Sequence, residues 1–216
     1  MSRQTKRTRI KFCGLTTVAD ALAAAALGVD AIGLIFVATS RRCLDPVAAQ
    51  RIAAALPPLV SRVGLFQNQD AATVRTVLAA VDLDLLQFHG DESGDFCGQF
   101  GKRWLKAVPM GALADPDQLQ GYLAAHAGAA GYVFDSHGGS GQGGSGRPFD
   151  WRRLPALLDR PLILAGGLNA GNVAAAIRQL RPFAVDVSSG IESAPGIKDH
   201  AKMRLFVEEV RRAERD

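Results

Sequence analysis

Short apolar, β-rich runs alternate with longer Ala- and Leu-rich stretches along the whole 216-residue chain. The runs are Ile10–Gly14, Ala31–Phe36, Arg62–Phe66, Leu85–His89, Trp104–Val108, Tyr132–Asp135, Pro161–Ala165 and Ala184–Val187. Helical patterns separate them. The first is capped by Thr16 or Thr17, runs to about Leu27 and is closed by Gly28; the second runs from Pro46 to Pro57-Pro58. Others span about Asp70–Val81, Glu92–Phe100, Asp115–His126, a segment opened by Asp150, Asn169–Leu180, and a last helix from Asp199. Strands that are apolar on both faces belong to a parallel sheet covered by helices. Eight strand–helix units at about 27 residues each predict a single-domain (β/α)8 TIM barrel, an α/β fold with eight parallel strands, near the lower size limit of the class. An open doubly wound sheet would place a dinucleotide fingerprint in its first βα turn, and Cys13-Gly14-Leu15-Thr16-Thr17 is not one. The reading assigns residues 1–8 to a basic flexible tail and 9–216 to the barrel.

Composition removes several function classes. Hydrophobic residues make up 48% and charged residues 21%, which is enough apolar surface for a core and excludes general disorder. No apolar run has the length of a membrane helix; the stretch Ala21–Val29 is short and sits beside Asp20 and Asp30. The net charge of +4 equals the four basic residues Arg3, Lys6, Arg7 and Arg9, so the body is neutral. A nucleic-acid partner would instead demand a basic stripe on the folded surface. The basic start lacks the apolar stretch of a secretory signal. Three widely spaced cysteines, Cys13, Cys43 and Cys97, suit neither a disulfide framework nor zinc, and fit a reducing, cytoplasmic setting.

In such a barrel the C-terminal ends of the strands carry the active site. The polar and glycine residues gather there: Cys13, Ser40-Arg41-Arg42, Gln67-Asn68, His89, Asp135, Gly166-Gly167, and Asp186 with Ser188-Ser189-Gly190. Gly166, Gly167, Ser188, Ser189 and Gly190 lie in the seventh and eighth loops, the usual phosphate site of these barrels. There, glycines admit an anion close to backbone N–H groups, and Asn169 is expected to cap the next helix. Gly139-Ser-Gly141-Gln-Gly-Gly144 matches G-x-G-x-x-G literally, but it does not open a helix directly. It reads as a loop over the site that opens and closes around substrate. Two readings of Cys13 stand side by side: a small buried apolar residue, or a base at the barrel mouth. Asp135 is likewise a turn residue or the acid that faces that base. Arg42 is solvated, or offers a two-pronged donor to a substrate carboxylate. His89 is a satisfied rim residue or part of the pocket. The four histidines are scattered without ligand spacing, so neither a metal nor a cofactor is expected.

Taken in order, Lys11-Phe-Cys-Gly14, Phe36–Arg42, Val63-Gly-Leu-Phe66, Leu86-Gln-Phe-His-Gly90, Asp135 with Gly143–Gly146 and Phe149-Asp-Trp151, Leu164–Leu168, and Val185–Gly190 with Pro195–Asp199 resemble the phosphoribosylanthranilate isomerase family of tryptophan biosynthesis. The resemblance runs from about Arg9 to Val210. It implies an Amadori rearrangement that converts N-(5′-phosphoribosyl)anthranilate to 1-(2-carboxyphenylamino)-1-deoxyribulose 5-phosphate, with no redox partner or metal. It implies Cys13 as general base, Asp135 as general acid, Arg42 on the anthranilate carboxylate, the glycine and serine loops on phosphate, and His89 and Asp186 lining the pocket. The acid must begin protonated and the base deprotonated. Cys13 then needs electropositive surroundings. Lys11, two residues away on the same strand, faces the same side and is expected to support the thiolate. The expected partner is a small phosphorylated metabolite, with neither nucleic acid nor membrane, and the chain is a monomer or homodimer. A similar aminoaldose of histidine synthesis stays open as a second substrate. Competing readings are an indole-glycerol-phosphate synthase, which needs Lys106 at a strand end, a metal-dependent ribulose-phosphate epimerase, a flavin enzyme, and a non-catalytic metabolite binder.

Overall fold

The computed structural model describes residues 7–113, 115–136, 149–155 and 158–215. Eight parallel strands close into a barrel in sequence order: β1 (Arg9–Cys13), β2 (Ala31–Ile35), β3 (Ser61–Phe66), β4 (Leu85–Phe88), β5 (Arg103–Pro109), β6 (Gly131–Asp135), β7 (Leu162–Leu164) and β8 (Ala184–Val187). β8 returns to β1 with Arg9 opposite Ala184 and Lys11 opposite Asp186. Side-chain alternation divides each strand between two environments. Outward residues such as Phe12, Phe66, Phe88, Phe134 and Leu164 join the helices in one large core. Phe36, Phe66 and Phe88 form a ladder of rings with centroids 5.4 and 6.0 Å apart. Inward residues fill the barrel in two smaller groups. Leu105, Val133, Ile163, Ala165 and Ala184 make one; Cys13, Ile35, Val37 and Leu65 make the other, nearer the strand ends.

The helices begin where side chains can satisfy their first N–H groups. Thr17 caps α1 (Val18–Ala26), and Gly28, with φ +77°, lies beyond its end. Asp45 caps α2 (Pro46–Ala55) with Pro46 in the first turn, Asp70 caps α3 (Ala71–Ala80), Ser93 caps α4 (Gly94–Gly98), and Asp115 caps α5 (Pro116–Ala125). Two more follow, α6 (Val173–Leu180) and α7 (His200–Arg215). Asp199 accepts from the N–H groups of Ala201 and Lys202 and so starts α7.

Four expectations are corrected. The helix expected from Asp150 is, among the described residues, one 3-10 turn, Trp151–Arg153. Pro155 follows, and the residue before a proline is pushed out of the helical region; Leu154 is extended, with ψ 138°. The fourth helix starts at Gly94, because Ser93 is its cap and the side chain of Glu92 is used elsewhere. The helix expected from Asn169, α6, begins at Val173. Asn169 Oδ1 accepts from Gly171 N–H, and Asn172 Oδ1 from Asn169 N–H, which makes a turn before the helix. Finally, the body extends back past Arg9. Thr8 is buried and its N–H donates to Glu214, while Arg7 pairs with Asp30. Residues 1–6 of the basic tail, and the glycine-rich run 137–146, lie outside the described residues. A short hairpin, β9 (Glu192–Ala194) with β10 (Ile197–Lys198), sits in the last loop and was not anticipated.

One ion pair lies outside the barrel, beneath α4. Lys106 Nζ donates to Glu92 Oε2 at 2.9 Å and to the Gly90 carbonyl at 2.7 Å. Glu92 also accepts from the N–H groups of Asn68 and Gly90, so it ties the loops after β3 and β4 together. Removing one partner of a buried pair strands the other charge. Lys106→Met is therefore expected to lower unfolding free energy in urea by about 3–5 kcal/mol.

Candidate active site

β1 and β8 bring the first charged group inside the barrel. Lys11 Nζ donates to Asp186 Oδ2 at 2.7 Å, with the two side chains only 5% and 6% exposed. Lys11 is also within electrostatic reach of Cys13, as expected for two residues on the same face of a strand. Burial works against the charge on Lys11, but Asp186 and Cys13 together hold its pKa above the usual lysine value. The expected electropositive setting for Cys13 is only partly met. Burial pushes the thiol pKa up; Lys11 and Lys198 oppose this, and the nearby Asp186 adds to it, leaving the net direction upward. Burial likewise raises Asp186, Lys11 opposes this, and the charge of Asp135 raises it further. Asp186 therefore stands within electrostatic reach of both Cys13 and Asp135.

Asp135 ends β6, three strands from β1 around the ring. Its Oδ2 lies 3.6 Å from His89 Nε2. His89 Nδ1 lies 3.2 Å from the amide nitrogen of Gln87. With the amide in this orientation Nδ1 accepts, so Nε2 carries the proton that faces Asp135. Gln87 is 1% exposed, and its Oε1, like Asp186 Oδ1, is a buried oxygen without a hydrogen-bond partner among the described residues. Two acceptors thus face the interior near the barrel mouth.

The last two loops lie against each other beside these groups. Gly166 has φ +80°, and a Cβ there would meet Ser136 N at 2.5 Å and Asp135 Oδ1 at 3.0 Å. A Cβ on Gly190 would come within 1.9 Å of the Leu168 carbonyl. Both positions need glycine, because backbone passes where a side chain would stand. Gly167 and Ser189 lie in the same two loops, and Lys198 Nζ donates to the Ser188 carbonyl at 3.0 Å.

Arg42 lies at the same end, but not as a solvated side chain. Its Nε and Nη2 donate to the two carboxylate oxygens of Glu192 at 2.7 and 2.6 Å. Lys198 Nζ donates to Glu192 Oε1 at 2.8 Å and to the Cys13 carbonyl at 2.8 Å. Sequence reasoning missed Glu192 and the role of Lys198, since single charges in a loop ordinarily read as solvated. The available signal was a glutamate and a lysine flanking the turn-former Pro195-Gly196. The candidates read from the strand ends therefore fall at one end of the barrel. Lys106 does not: it is on the outer face under Glu92, which removes the synthase reading. Among the described residues, no group of three His, Cys, Asp or Glu side chains gathers as a metal site.

A barrel with these groups at one mouth can be set beside known proteins. Residues 10–209 match the family model described as N-(5′-phosphoribosyl)anthranilate (PRA) isomerase. The chain belongs to this family. It is 54% identical to the N-(5′-phosphoribosyl)anthranilate isomerase of Acidithiobacillus ferrooxidans, over 94% of this chain and 97% of that one. It is 49% identical to the enzyme of that name from Xanthomonas oryzae pv. oryzae, over 99% and 98%. The phosphoribosyl anthranilate isomerase of Thermus thermophilus superposes with a TM-score of 0.83 at 34% identity, covering 95% of this chain and 99% of that one. A family structure in complex with reduced 1-(o-carboxyphenylamino)-1-deoxyribulose 5-phosphate superposes with a TM-score of 0.78 at 35% identity, covering 94% and 98%. The chain is thus an isomerase of this family, on the predicted fold. No described helix is long and apolar enough to cross a membrane.

The Lys11–Cys13 contact is testable by itself. In a Cys43→Ser background, Lys11→Met is expected to raise the thiol pKa of Cys13 by about one unit, slowing alkylation about tenfold at a pH below that pKa. An unchanged alkylation profile would remove Lys11 as the support of the thiolate.

Proposed function

We propose that the protein catalyses the Amadori rearrangement of N-(5′-phosphoribosyl)anthranilate in tryptophan biosynthesis, with Cys13 as general base and Asp135 as general acid. The observation that carries the roles is the inward cluster of Cys13, Lys11, Asp186 and Asp135, set beside the glycine loops after β7 and β8. Asp135 gives its proton to the ribose ring oxygen, and the C1′–O4′ bond breaks as the anilino nitrogen forms an iminium. The iminium acidifies the C2′ proton. Cys13, as thiolate, takes that proton, and the C–H electrons form the C1′=C2′ bond of an enolamine while nitrogen becomes neutral. Tautomerisation moves a proton from the enol oxygen to C1′ and leaves the ketone at C2′. Return of a proton from the Cys13 thiol to the Asp135 carboxylate restores the starting pair, so atoms and charge balance over the cycle without any redox partner.

The surroundings support each demand. Burial raises the thiol, so Lys11 and the cationic iminium are what favour its thiolate during the reaction. Asp186 and Asp135 lie within reach of each other's charge, and like charges at close range favour a proton on one of the pair. After proton transfer, His89 Nε2–H faces the new Asp135 carboxylate. The unpartnered oxygens of Gln87 and Asp186 suit the ribose hydroxyls, which are donors. Gly166, Gly167, Ser188, Ser189 and Gly190 offer backbone and hydroxyl groups to the phosphate, and Arg42 faces the anthranilate carboxylate.

Cys13→Ala and Asp135→Asn are each expected to lower kcat by about 10²–10⁴-fold with KM changed by less than about threefold. The measurement is the loss of substrate fluorescence. A protein that merely binds the metabolite would show no turnover that depends on either residue.

A further inference from the structure

The Glu192 side chain is 4% exposed, in the β9–β10 hairpin, which the mechanism above does not use. It receives the Nε/Nη2 edge of Arg42 in a two-pronged contact. Its Oε1 also receives Lys198, and its backbone carbonyl receives Lys202 Nζ at 2.7 Å. Burial opposes the charge on Glu192, yet Arg42 and Lys198 together hold its carboxyl below the usual carboxylate range. The carboxylate is therefore ionised and doubly compensated near neutral pH. Lys198, with a side chain 0% exposed, spans from Glu192 to the Cys13 carbonyl and to Ser188. One glutamate–lysine pair thus touches Arg42, the end of β1 that carries the thiol, and the loop assigned to phosphate.

The contact also fixes which part of Arg42 remains available. A guanidinium has two forked edges, Nε with Nη2 and Nη1 with Nη2. Glu192 occupies the first, so the end-on edge, Nη1 with the second hydrogen of Nη2, is left to a ligand. The stem of Arg42 is confined as well. A Cβ on Gly14 would stand 2.4 Å from Arg42 Cδ, and one on Gly196 would stand 3.0 Å from the Arg41 carbonyl and 4.0 Å from Arg42 Cγ. The arginine passes between two bare stretches of backbone, with Glu192 holding its head. A planar fork held along one edge presents the other with little rotational freedom lost on binding.

We infer that Glu192, braced by Lys198, is a positioning residue that fixes Arg42 so that its end-on fork meets the substrate carboxylate, and that it links that grip to the thiol and phosphate ends of the site. The inference rests on the reading of Arg42 as the carboxylate's partner. It makes Glu192 a determinant of recognition for the carboxylated ring, acting through Arg42 and never touching the substrate.

The test uses the full chain and two probes, the reduced product analogue with its ring carboxylate and the same molecule without it. Glu192→Gln is expected to weaken the carboxylated probe about tenfold or more and the bare one less than about twofold. KM for phosphoribosylanthranilate is expected to rise about tenfold, with kcat lowered less than about threefold. Equal weakening of both probes would show a merely structural role and overturn the proposal, as would unchanged affinity for both in a folded variant. If Glu192→Gln alone does not fold, the apolar set Arg42→Met, Glu192→Leu and Lys198→Met is compared with Arg42→Met and Lys198→Met together, since replacing a whole buried charge cluster by apolar groups is often tolerated. The two should then bind the carboxylated probe within about twofold of each other; a further loss from the Glu192 change would contradict action through Arg42. Failure of the underlying reading is separately visible: Arg42→Met would then leave the preference for the carboxylated probe intact.

Discussion

A lysine and an aspartate face each other inside the barrel, where a row of Leu, Val and Ile would pack at lower desolvation cost. A buried ion pair of this kind is often no more stabilising than well-packed apolar residues of the same volume. Lys11 and Asp186 are 4% and 6% exposed, and each lies within reach of Cys13. Their position has a chemical consequence that apolar residues lack: the Lys11 ammonium opposes the effect of burial on the thiol. The arrangement follows from strand register. Lys11 stands opposite Asp186 across the β1–β8 seam, and Cys13 comes two residues later, on the same face and closer to the mouth.

The rest of the molecule keeps that register fixed. Outward faces of the strands carry phenylalanines that stack around the sheet and under the helices, so a slip of one residue would bring Phe12 into the barrel and Lys11 into the apolar layer. Two further buried charge clusters brace the rim from outside the barrel interior. Lys106 and Glu92 hold the loops after β3 and β4, and Lys198 and Glu192 hold the last loop against β1. Rigid supports of this kind keep loops on the barrel's end in one geometry.

Much of the architecture was legible in the sequence because it depends on local pattern. Apolar runs such as Ala31–Ile35 and Gly131–Asp135 are strands within a residue of expectation; Thr17 caps the first helix and the second starts at Pro46, both as expected. The misses share a different cause. Asn169 and Asn172 spend their side chains on a turn, and Pro155 stops what Asp150 begins. In both cases local side-chain or ring chemistry overrode the helical pattern. At the site, Cys13, Asp135, His89 and Asp186 could be placed from strand-end position alone. Glu192 could not, since its importance comes from partners 150 and 6 residues away in sequence. The burial of Cys13 is also a tertiary property, and it reverses the simple expectation of a thiol lowered by nearby cations.

The proposed reaction needs a sulfur and a carboxyl group addressing one pentose. The most direct measurement is a crystal structure of this protein with the reduced product analogue bound. It should place Cys13 Sγ within about 3.5 Å of C2′, the near-attack range, with the Asp135 carboxyl against the former ring oxygen and the phosphate between the two glycine loops. An analogue seated with its sugar away from Cys13, or with Asp135 and Cys13 unable to reach the same ribose, would contradict it.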